Sequence, residues 1–398
     1  MLVFTAGRLL TPTDALDHPL VLVEQGRVLE ICCRSSRQVP AGVSVFDLGN
    51  DIMAPGYVDL HLHGSAGYDV MDDSAEALPA IEQLLIRHGV TSYFPTTVTA
   101  PMDITLRALE RLADAIETRE RHLEQDLERQ NAHDKNRAFP LGIHLEGPFI
   151  SHARRGAHPP ENLLAPTLTL FERFWLAARG RIRMMTIAPE LENAPQVIAE
   201  AARRGVCVSL GHSDADFAAA ERGIAAGAHH ATHVFNAMRP LDHRSPGILG
   251  AVLTDRRVSA DIIADGVHLD PAIVKLVADS KGPEQTVLIT DSISATGMPN
   301  GRYRLGSFEV DVRDGKCKAN GKLAGSVLTM DRAVRNLARF AEWDLQQAVT
   351  AASRNPARVA QVANKGVLAV GADADFVVLS PEGDVLRTFI GGVECSRR

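Results

Sequence analysis

Histidine and carboxylate side chains recur in this chain at the ends of short apolar runs. His61 and His63 stand in "DLHLHG", Glu146 in "IHLEGP", His212 in "SLGHSD" and His233 in "HHATHVF". Residues i and i+2 of a strand share a face, so the first two histidines can reach one ion. Imidazole and carboxylate suit zinc or iron(II), and catalytic sites leave a position open for water. The pattern predicts a divalent metal site, with Zn²⁺ preferred and Fe²⁺ or another divalent ion as the alternative.

Asp291, in "LITDSISATG", ends another such run. A carboxylate beside an activated water is suited to general-base catalysis, and it can also bind metal. Taken singly, Asp291 could cap a turn, Glu146 could cap a helix, and a lone histidine is more often structural. Six such residues at the ends of five predicted strands favour one shared site. In "AHHATHVF" we assign the ligand role to His233 and interpret His229 and His230 as structural.

Short apolar runs alternate with longer helical patterns through the middle of the chain, which is typical of repeated β-α units. The predicted strands are Tyr57–His63, Ser92–Thr97, Leu141–Glu146, Ile182–Ala188, Val206–Gly211, His229–Phe235, Val258–Ala264 and Val287–Asp291. Helical patterns such as "APQVIAEAARRG" and "DADFAAAERGIAAG" separate them. Eight units predict an α/β fold, a (β/α)₈ TIM-like barrel, whose chemistry lies at the C-terminal ends of the strands.

Both ends of the chain have a different texture, with β-rich runs broken by turn residues, as in "PLVLVEQGRVLEICC" and "GADADFVVLSPEGD". We predict that residues 1–53 and 356–398 form one small β-sandwich domain, and that residues 54–355 form the barrel. The charged segment 119–137 is predicted to be a solvated helix end and loop.

Composition narrows the class of partner. The chain has 398 residues and a formal net charge of −7, with no long basic block, which argues against nucleic acid or an anionic membrane as partner. Its N-terminus lacks the pattern of a signal peptide, and no apolar segment reaches the length of about 20 residues that spans a bilayer. The five cysteines are scattered without a C-x-x-C, which favours reduced thiols and a cytoplasmic location.

At these residues the chain resembles the amidohydrolase superfamily and, within it, the family of N-acetylglucosamine-6-phosphate deacetylases. The resemblance extends from residue 54 to residue 379 in the family's order. The motifs that carry it are "APGYVDLHLHG", "GIHLEGPF", "RRGAH", "LGHSDA", "ATHVFNAM", "ADGVH", "LITDSISATG", "LAGSVLTM", "ASRNPAR" and "GADADFVVL".

The resemblance implies hydrolysis of the acetamide of N-acetylglucosamine 6-phosphate, in amino sugar metabolism, by a homodimer. It implies that Glu146, His212 and His233 bind the principal metal. His61 and His63 would bind a second ion together with Asp291. Asp291 would also act as catalytic base and acid, and His158 would polarise the acetyl carbonyl. The implied substrate-binding residues are Ala157, His158, Asn236, Ala237, Arg244, His268, Leu323, Ala324 and Gly325.

Other interpretations stay open from the residues themselves. Arg244 could make a surface ion pair and His268 could cap a helix, while the family's phosphate arginine can come from the neighbouring subunit. Superfamily relatives that bridge two metals with a carboxylated lysine place it after the fourth strand. Here that end reads "MMTIAPE" without a lysine, so the resemblance makes Glu146 the expected principal or bridging carboxylate. Some members of the deacetylase family lack the first-strand histidines and use one metal, so the resemblance implies one or two ions per subunit here. Rival functions are the same reaction on N-acetylgalactosamine 6-phosphate, another amidohydrolase such as an N-acyl-amino-acid hydrolase or nucleobase deaminase, and a non-catalytic scaffold.

Overall fold

The computed structural model describes residues 1–11, 14–39, 42–129 and 136–395, with only the backbone described at residues 124–129. Eight strands in this part of the chain run parallel and neighbour one another in sequence order, and Phe139–Pro140 adds a short ninth strand beside the second. The eight are Tyr57–Leu62 (β1), Val90–Thr97 (β2), Ile143–Glu146 (β3), Ile182–Ile187 (β4), Cys207–Leu210 (β5), His230–Ala231 (β6), Ser259–Ile262 (β7) and Thr286–Leu288 (β8).

Hydrogen bonds between the first and last strand segments bring the two edges of this sheet together. The main-chain N–H of Asp291 donates to the carbonyl of His61 at 2.9 Å, and Leu62 forms a parallel bridge with Ser292. The result is a nearly closed barrel. Each of the eight predicted runs overlaps one of these strands, so the predicted fold class is confirmed.

Helices cover the outside of the barrel. They are Ala77–Arg87 (α1), Met102–Arg129 (α2), Leu168–Ala177 (α3), Ala194–Arg203 (α4), Phe217–Ala225 (α5), Gly247–Thr254 (α6), Pro271–Gln285 (α7), Met330–Ala341 (α8), Leu345–Ala352 (α9) and Arg354–Val359 (α10). In α8 the buried residues Met330, Ala333, Val334, Leu337 and Ala341 recur at helical spacing, so one stripe faces the core. None of the helices within the described residues is long and apolar enough to cross a membrane.

The charged segment 119–137 begins inside α2, as predicted for its helical part, and α2 ends at Arg129. Residues 130–135, where a loop was predicted, lie outside the described residues.

The two ends of the chain pair with each other. Strand Ile52–Pro55 lies antiparallel to Phe376–Leu379, which joins N-terminal and C-terminal strands in one six-stranded sheet. A four-stranded sheet from the first 47 residues packs beside it, and Phe4, Phe376 and Phe389 stack in the shared core. The strands of these two sheets are Leu2–Thr5, Arg8–Leu10, Ala15–Asp17, Pro19–Glu24, Arg27–Cys33, Ser44–Asp47, Ile52–Pro55, Phe376–Leu379, Val385–Ile390 and Val393–Glu394.

This arrangement agrees with the β-sandwich part of the predicted fold class, while the exact domain boundaries stay a prediction. Strand Ile52–Pro55 continues across the predicted boundary at residue 53, and α10 continues across the one at residue 356.

A second four-stranded sheet, antiparallel throughout, follows the last barrel strand and was not predicted from the sequence. It consists of Gly301–Leu305, Phe308–Arg313, Lys316–Ala319 and Lys322–Leu323. Its buried Leu305 and Val310 pack in one cluster with Val98 and Ile293, which follow β2 and β8. The sheet therefore lies over the C-terminal mouth of the barrel.

Candidate metal centre and active site

Six ligand-type side chains meet at the C-terminal mouth of the barrel. His61 is the second-to-last residue of β1, and Glu146 ends β3. His212 and His233 follow β5 and β6 by two residues. His63 lies just beyond β1, and Asp291 lies just beyond β8. All six residues are buried. The barrel topology therefore brings together residues that are up to 230 positions apart in the sequence.

Glu146 lies at the centre of this cluster. Its Oε1 is 3.1 Å from His233 Nε2, 3.2 Å from His212 Nε2 and 3.3 Å from His61 Nε2. Its Oε2 is 3.2 Å from His63 Nε2. Asp291 approaches from the other side, with its Oδ1 3.3 Å from His63 Nε2 and 3.7 Å from His61 Nε2.

The cluster contains three overlapping sets of donors in which the ligand atoms lie within 4.8 Å of one another. The sets are His61–His63–Asp291, His61–Glu146–His233 and Glu146–His158–His212. Buried imidazoles and carboxylates at this spacing are the donor set of a divalent metal site. The residues present therefore fit a divalent cation, and Glu146 lies where it can contact ions on either side.

Hydrogen bonds at the far side of the rings leave Nε2 available for metal. The Nδ1–H of His63 donates to the carbonyl of Thr96 at 2.9 Å, and that of His212 donates to the carbonyl of Arg154 at 3.0 Å. Because a neutral imidazole has one N–H, each ring presents an Nε2 lone pair to the cluster when it is neutral, the form that binds metal.

Backbone strain coincides with three of these residues. His212, His233 and Asp291 have φ angles of 47°, 30° and 49°, which non-glycine residues rarely adopt. Such conformations persist where the surrounding structure imposes them, and they cluster at functional sites. Here they turn each side chain inward immediately after its strand.

The charge state of the cluster depends on its burial and on the contacts between its carboxylates and histidines. Burial raises the pKa of Glu146, but His61, His158, His212 and His233 outweigh that effect and hold the pKa well below its usual value. Burial likewise raises the pKa of Asp291, but the hydrogen bond from His63 and the charges of His61 and His63 together outweigh burial and lower the pKa. Both carboxyls are therefore ionised at neutral pH.

Two adjacent rings differ in protonation. Burial lowers the pKa of His212 to about 4. Burial acts in the same direction on His233, but the hydrogen bond and charge of Glu146 raise its pKa to about 9. The two Nε2 atoms are 3.1 Å apart, so only one of them holds a proton between the rings. In the absence of metal that proton belongs to His233.

His158 presents a different atom to the cluster. Its Nδ1 accepts a hydrogen bond from the main-chain N–H of Thr99 at 3.4 Å and lies 2.8 Å from the Thr99 hydroxyl. An N–H donor facing Nδ1 requires a lone pair there, so the proton of the neutral ring is on Nε2. This Nε2 lies 3.6 Å from Glu146 Oε2, which places a hydrogen-bond donor at the edge of the cluster.

The cluster forms the floor of a cavity of about 310 Å³. The predicted substrate-binding residues that line it are Ala157, His158, Asn236, Ala237, His268, Leu323, Ala324 and Gly325. The Nδ2 of Asn236 is buried and has no hydrogen-bond partner among the described residues, so it can serve a ligand. Asp265 Oδ2 lies 2.7 Å from His268 Nδ1 and holds a proton on that nitrogen.

Gly325 needs to be glycine for steric reasons. Its φ is 60°, and a Cβ there would lie 2.2 Å from Ile293 Cγ2. The next residue, Ser326, donates its main-chain N–H to the carbonyl of Asp291 at 2.7 Å. The loop with the predicted sugar contacts is therefore attached directly to the candidate base.

Among the predicted substrate-binding residues, only Arg244 does not line the cavity of its own chain. It lies in an exposed loop, where its main-chain N–H donates to Asp242. The cations that line the cavity are Arg154 and Lys322, neither of which was predicted. Both lie next to predicted residues, Arg154 in "RRGAH" and Lys322 before Leu323. A positive charge adjacent to a substrate-binding motif is the sequence feature that could have identified them.

Comparison with known proteins agrees with this geometry. The model of the amidohydrolase family matches residues 52–395. The N-acetylglucosamine-6-phosphate deacetylase of Lysinibacillus sphaericus is 35% identical over 360 residues, which cover 90% of this chain and 88% of the relative. The N-acetylgalactosamine-6-phosphate deacetylase of Escherichia coli O157:H7 is 36% identical over 392 residues, which cover 98% of both chains.

A solved structure extends the likeness to three dimensions. A mutant of N-acetyl-D-glucosamine-6-phosphate deacetylase from Mycobacterium smegmatis, in complex with N-acetyl-D-glucosamine-6-phosphate, superposes with a TM-score of 0.88 and 34% sequence identity. The match covers 99% of this chain and 98% of the mycobacterial chain. With the motifs, the barrel and the buried donor cluster in agreement, this chain belongs to the amidohydrolase family.

Proposed function

We propose that this protein is a hydrolase that cleaves the acetamide of N-acetyl-D-glucosamine 6-phosphate to D-glucosamine 6-phosphate and acetate. One observation carries the proposal. An ionised carboxylate, Asp291, and a hydrogen-bond donor, His158 Nε2–H, both lie beside the metal-ligand cluster centred on Glu146. Two relatives named for this activity, 35% and 34% identical and covered over most of their length, support the choice of substrate.

Glu146, His212 and His233 would hold the principal metal ion, and His61, His63 and Asp291 would hold a second one if two are bound. Zn²⁺ is the preferred ion because histidine and carboxylate are its usual ligands, with Fe²⁺ or another divalent ion as the alternative. When bound, such an ion supplies Lewis-acid polarisation of a carbonyl and lowers the pKa of water towards about 7.

Asp291 carries the proton through the reaction. Its carboxylate accepts a proton from the attacking water while the water oxygen bonds to the acetyl carbon. The protonated carboxyl then donates that proton to the amide nitrogen as the C–N bond breaks. The immediate products are acetic acid and the amine, and Asp291 returns to its ionised state. The acid then loses its proton to the amine or to solvent, which leaves acetate.

His158 stabilises the charge that develops on the acetyl oxygen. Its Nε2–H points into the cavity because Thr99 holds Nδ1 as an acceptor. A donor positioned before the reaction strengthens its hydrogen bond as the carbonyl oxygen becomes negative. His158 therefore acts on the transition state more than on the bound substrate.

The sugar phosphate would be held by Asn236, Ala237 and His268, while Ala157 and Leu323–Gly325 line the sugar. Arg244 would complete the phosphate site from the neighbouring subunit of a homodimer, since it lies outside the cavity of its own chain. Arginine suits phosphate because its planar fork makes two parallel hydrogen bonds. All five cysteines are free in the structure, which supports a cytoplasmic location.

The second candidate substrate is N-acetylgalactosamine 6-phosphate, which the 36% identical Escherichia coli relative favours. The experiment measures acetate release from both phosphorylated sugars and from unphosphorylated N-acetylglucosamine, with protein of known metal content. We expect the highest kcat/KM with N-acetylglucosamine 6-phosphate and a large loss without the phosphate. Equal turnover without phosphate would indicate another amidohydrolase activity, and no turnover by metal-loaded protein would indicate a scaffold.

A further inference from the structure

We propose that Asp261 is a positioning residue for metal binding. Its buried carboxylate holds His233 and His61 in place at the same time. The inference rests on the proposed metal site and concerns a residue that does not itself belong to the donor cluster. Asp261 lies on β7 and is fully buried in the barrel. The aliphatic side chains that usually fill a barrel interior are replaced at this depth by polar groups.

The first link is to the segment that carries His233. Asp261 Oδ1 accepts the main-chain N–H of His233 in a short hydrogen bond. The carbonyl of Asp261 accepts the next main-chain N–H, that of Val234, at 3.1 Å. His233 has a φ of 30°, a conformation that the surrounding structure has to impose. Asp261 holds both ends of that strained peptide segment.

The second link runs to His61 through Thr232. His61 presents Nε2 to the cluster, 3.3 Å from Glu146 Oε1, so the proton of its neutral ring is on Nδ1. Nδ1 lies 3.0 Å from Thr232 Oγ1 and donates to it. The Thr232 hydroxyl has a single proton, which it donates to Asp261 Oδ2 at 3.3 Å. The hydrogen-bond chain therefore has one direction and ends on the carboxylate.

Such a chain has two consequences for a metal ligand. It keeps the ring oriented and the Nε2 lone pair free, and it increases the basicity of that nitrogen. His61 belongs to two of the three donor sets and His233 to one, so Asp261 reaches both sides of the cluster.

His230 completes the surroundings of the carboxylate on the side away from the metal site. Its Nε2 lies 2.9 Å from Asp261 Oδ2, and its Nδ1 lies 2.7 Å from Ser259 Oγ. Both His230 and Asp261 are fully buried. This pair accounts for the buried histidine that does not reach the cluster, and it supplies a matched control, because Ser259 touches His230 but no donor residue.

The test measures metal affinity in metal-free protein by chelator competition, without substrate, for Thr232→Val, Thr232→Ser, Asp261→Asn and Ser259→Ala. We expect Thr232→Val and Asp261→Asn to weaken binding by about 10–100-fold, the range for lost partners of metal-bound histidines. Thr232→Ser, which keeps the hydroxyl, and Ser259→Ala should bind metal like the wild type. Excess metal should restore most of the kcat of Thr232→Val.

Thr232→Val keeps the shape of the side chain, so it reports on the hydrogen-bond chain even if Asp261→Asn fails to fold. Wild-type metal affinity in Thr232→Val would overturn the proposal. Equal losses in Thr232→Val and Ser259→Ala would also overturn it, because packing would then explain both. Since metal affinity is measured without substrate, that result is independent of whether the proposed deacetylation is correct.

Discussion

His63 Nε2 lies 3.3 Å from Asp291 Oδ1, which joins the segment after the first barrel strand to the segment after the last. The contact exists because the barrel closes through the hydrogen bond from Asp291 N–H to the His61 carbonyl. Asp291 thus marks both the closure of the barrel and the position of the candidate base. This shared origin makes Asp291 the first residue to test.

Replacement of Asp291 by Asn removes the proton acceptor with little change in shape. We expect kcat to fall by at least about 10²–10⁴-fold, the usual contribution of general acid–base catalysis. Substrate binding and metal binding at Glu146, His212 and His233 should persist, which calorimetry and elemental analysis can measure. Asp314→Asn, in an exposed turn, is the matched control. Full activity of Asp291→Asn would refute the assigned role.

His158 allows a comparison of two replacements that differ in one donor. His158→Gln retains an N–H at about the position of Nε2, whereas His158→Leu fills the space without a donor. If His158 stabilises the developing oxyanion, the leucine variant loses about 10²–10³-fold in kcat, as when an oxyanion donor is removed. The glutamine variant should keep more activity, at similar KM and metal content. Equal kcat values for the two variants would contradict the role.

The repeated β-α pattern was sufficient to predict the barrel and its ligand-type residues. Residues such as Glu146 and His212 end short apolar runs, and strand ends in a parallel barrel converge whatever their separation in sequence. The role assigned to Arg244 could not be located in this way, because a motif does not show which subunit's cavity the residue reaches. The four-stranded antiparallel sheet over the barrel mouth was not predicted, although Gly306, Gly315 and Gly321, all with positive φ, lie in the turns between its strands.

Thr99 and Asp261 had no sequence signal. Thr99 follows β2 in a run of threonines, and nothing local indicates that it faces His158 from 59 residues away. Asp261 stands inside an apolar strand and contacts His230 and His233 only because β6 and β7 are neighbours. Contacts of this kind depend on strand register, which a single sequence does not reveal.

Metal binding should release protons. In metal-free protein Glu146 raises the pKa of His233 to about 9, and burial cannot offset the effect of Asp291 and Glu146, which raise the pKa of His63. His233 is therefore protonated at pH 7.5, and the raised pKa of His63 favours its protonated form as well. A protonated ring must lose its proton to bind a cation. Apparent metal affinity should rise with pH until the pH passes about 9. Titration calorimetry in buffers of different ionisation enthalpy counts the protons, and a value of zero would show that these rings are already neutral.

Arg244 provides a test of whether one subunit completes the site of another. Arg244→Ala and Asp291→Asn should each be nearly inactive alone, the first through a raised KM and the second through a lowered kcat. If the phosphate contact crosses a two-fold interface, a mixed dimer contains one site with both native residues. Random exchange of equal amounts would then restore about a quarter of wild-type activity. Arg244→Lys is the matched control for charge, since lysine keeps the positive charge but cannot make the two parallel hydrogen bonds that a guanidinium makes to phosphate. Absence of recovery, with subunit exchange verified by mass spectrometry, would place the action of Arg244 within its own chain.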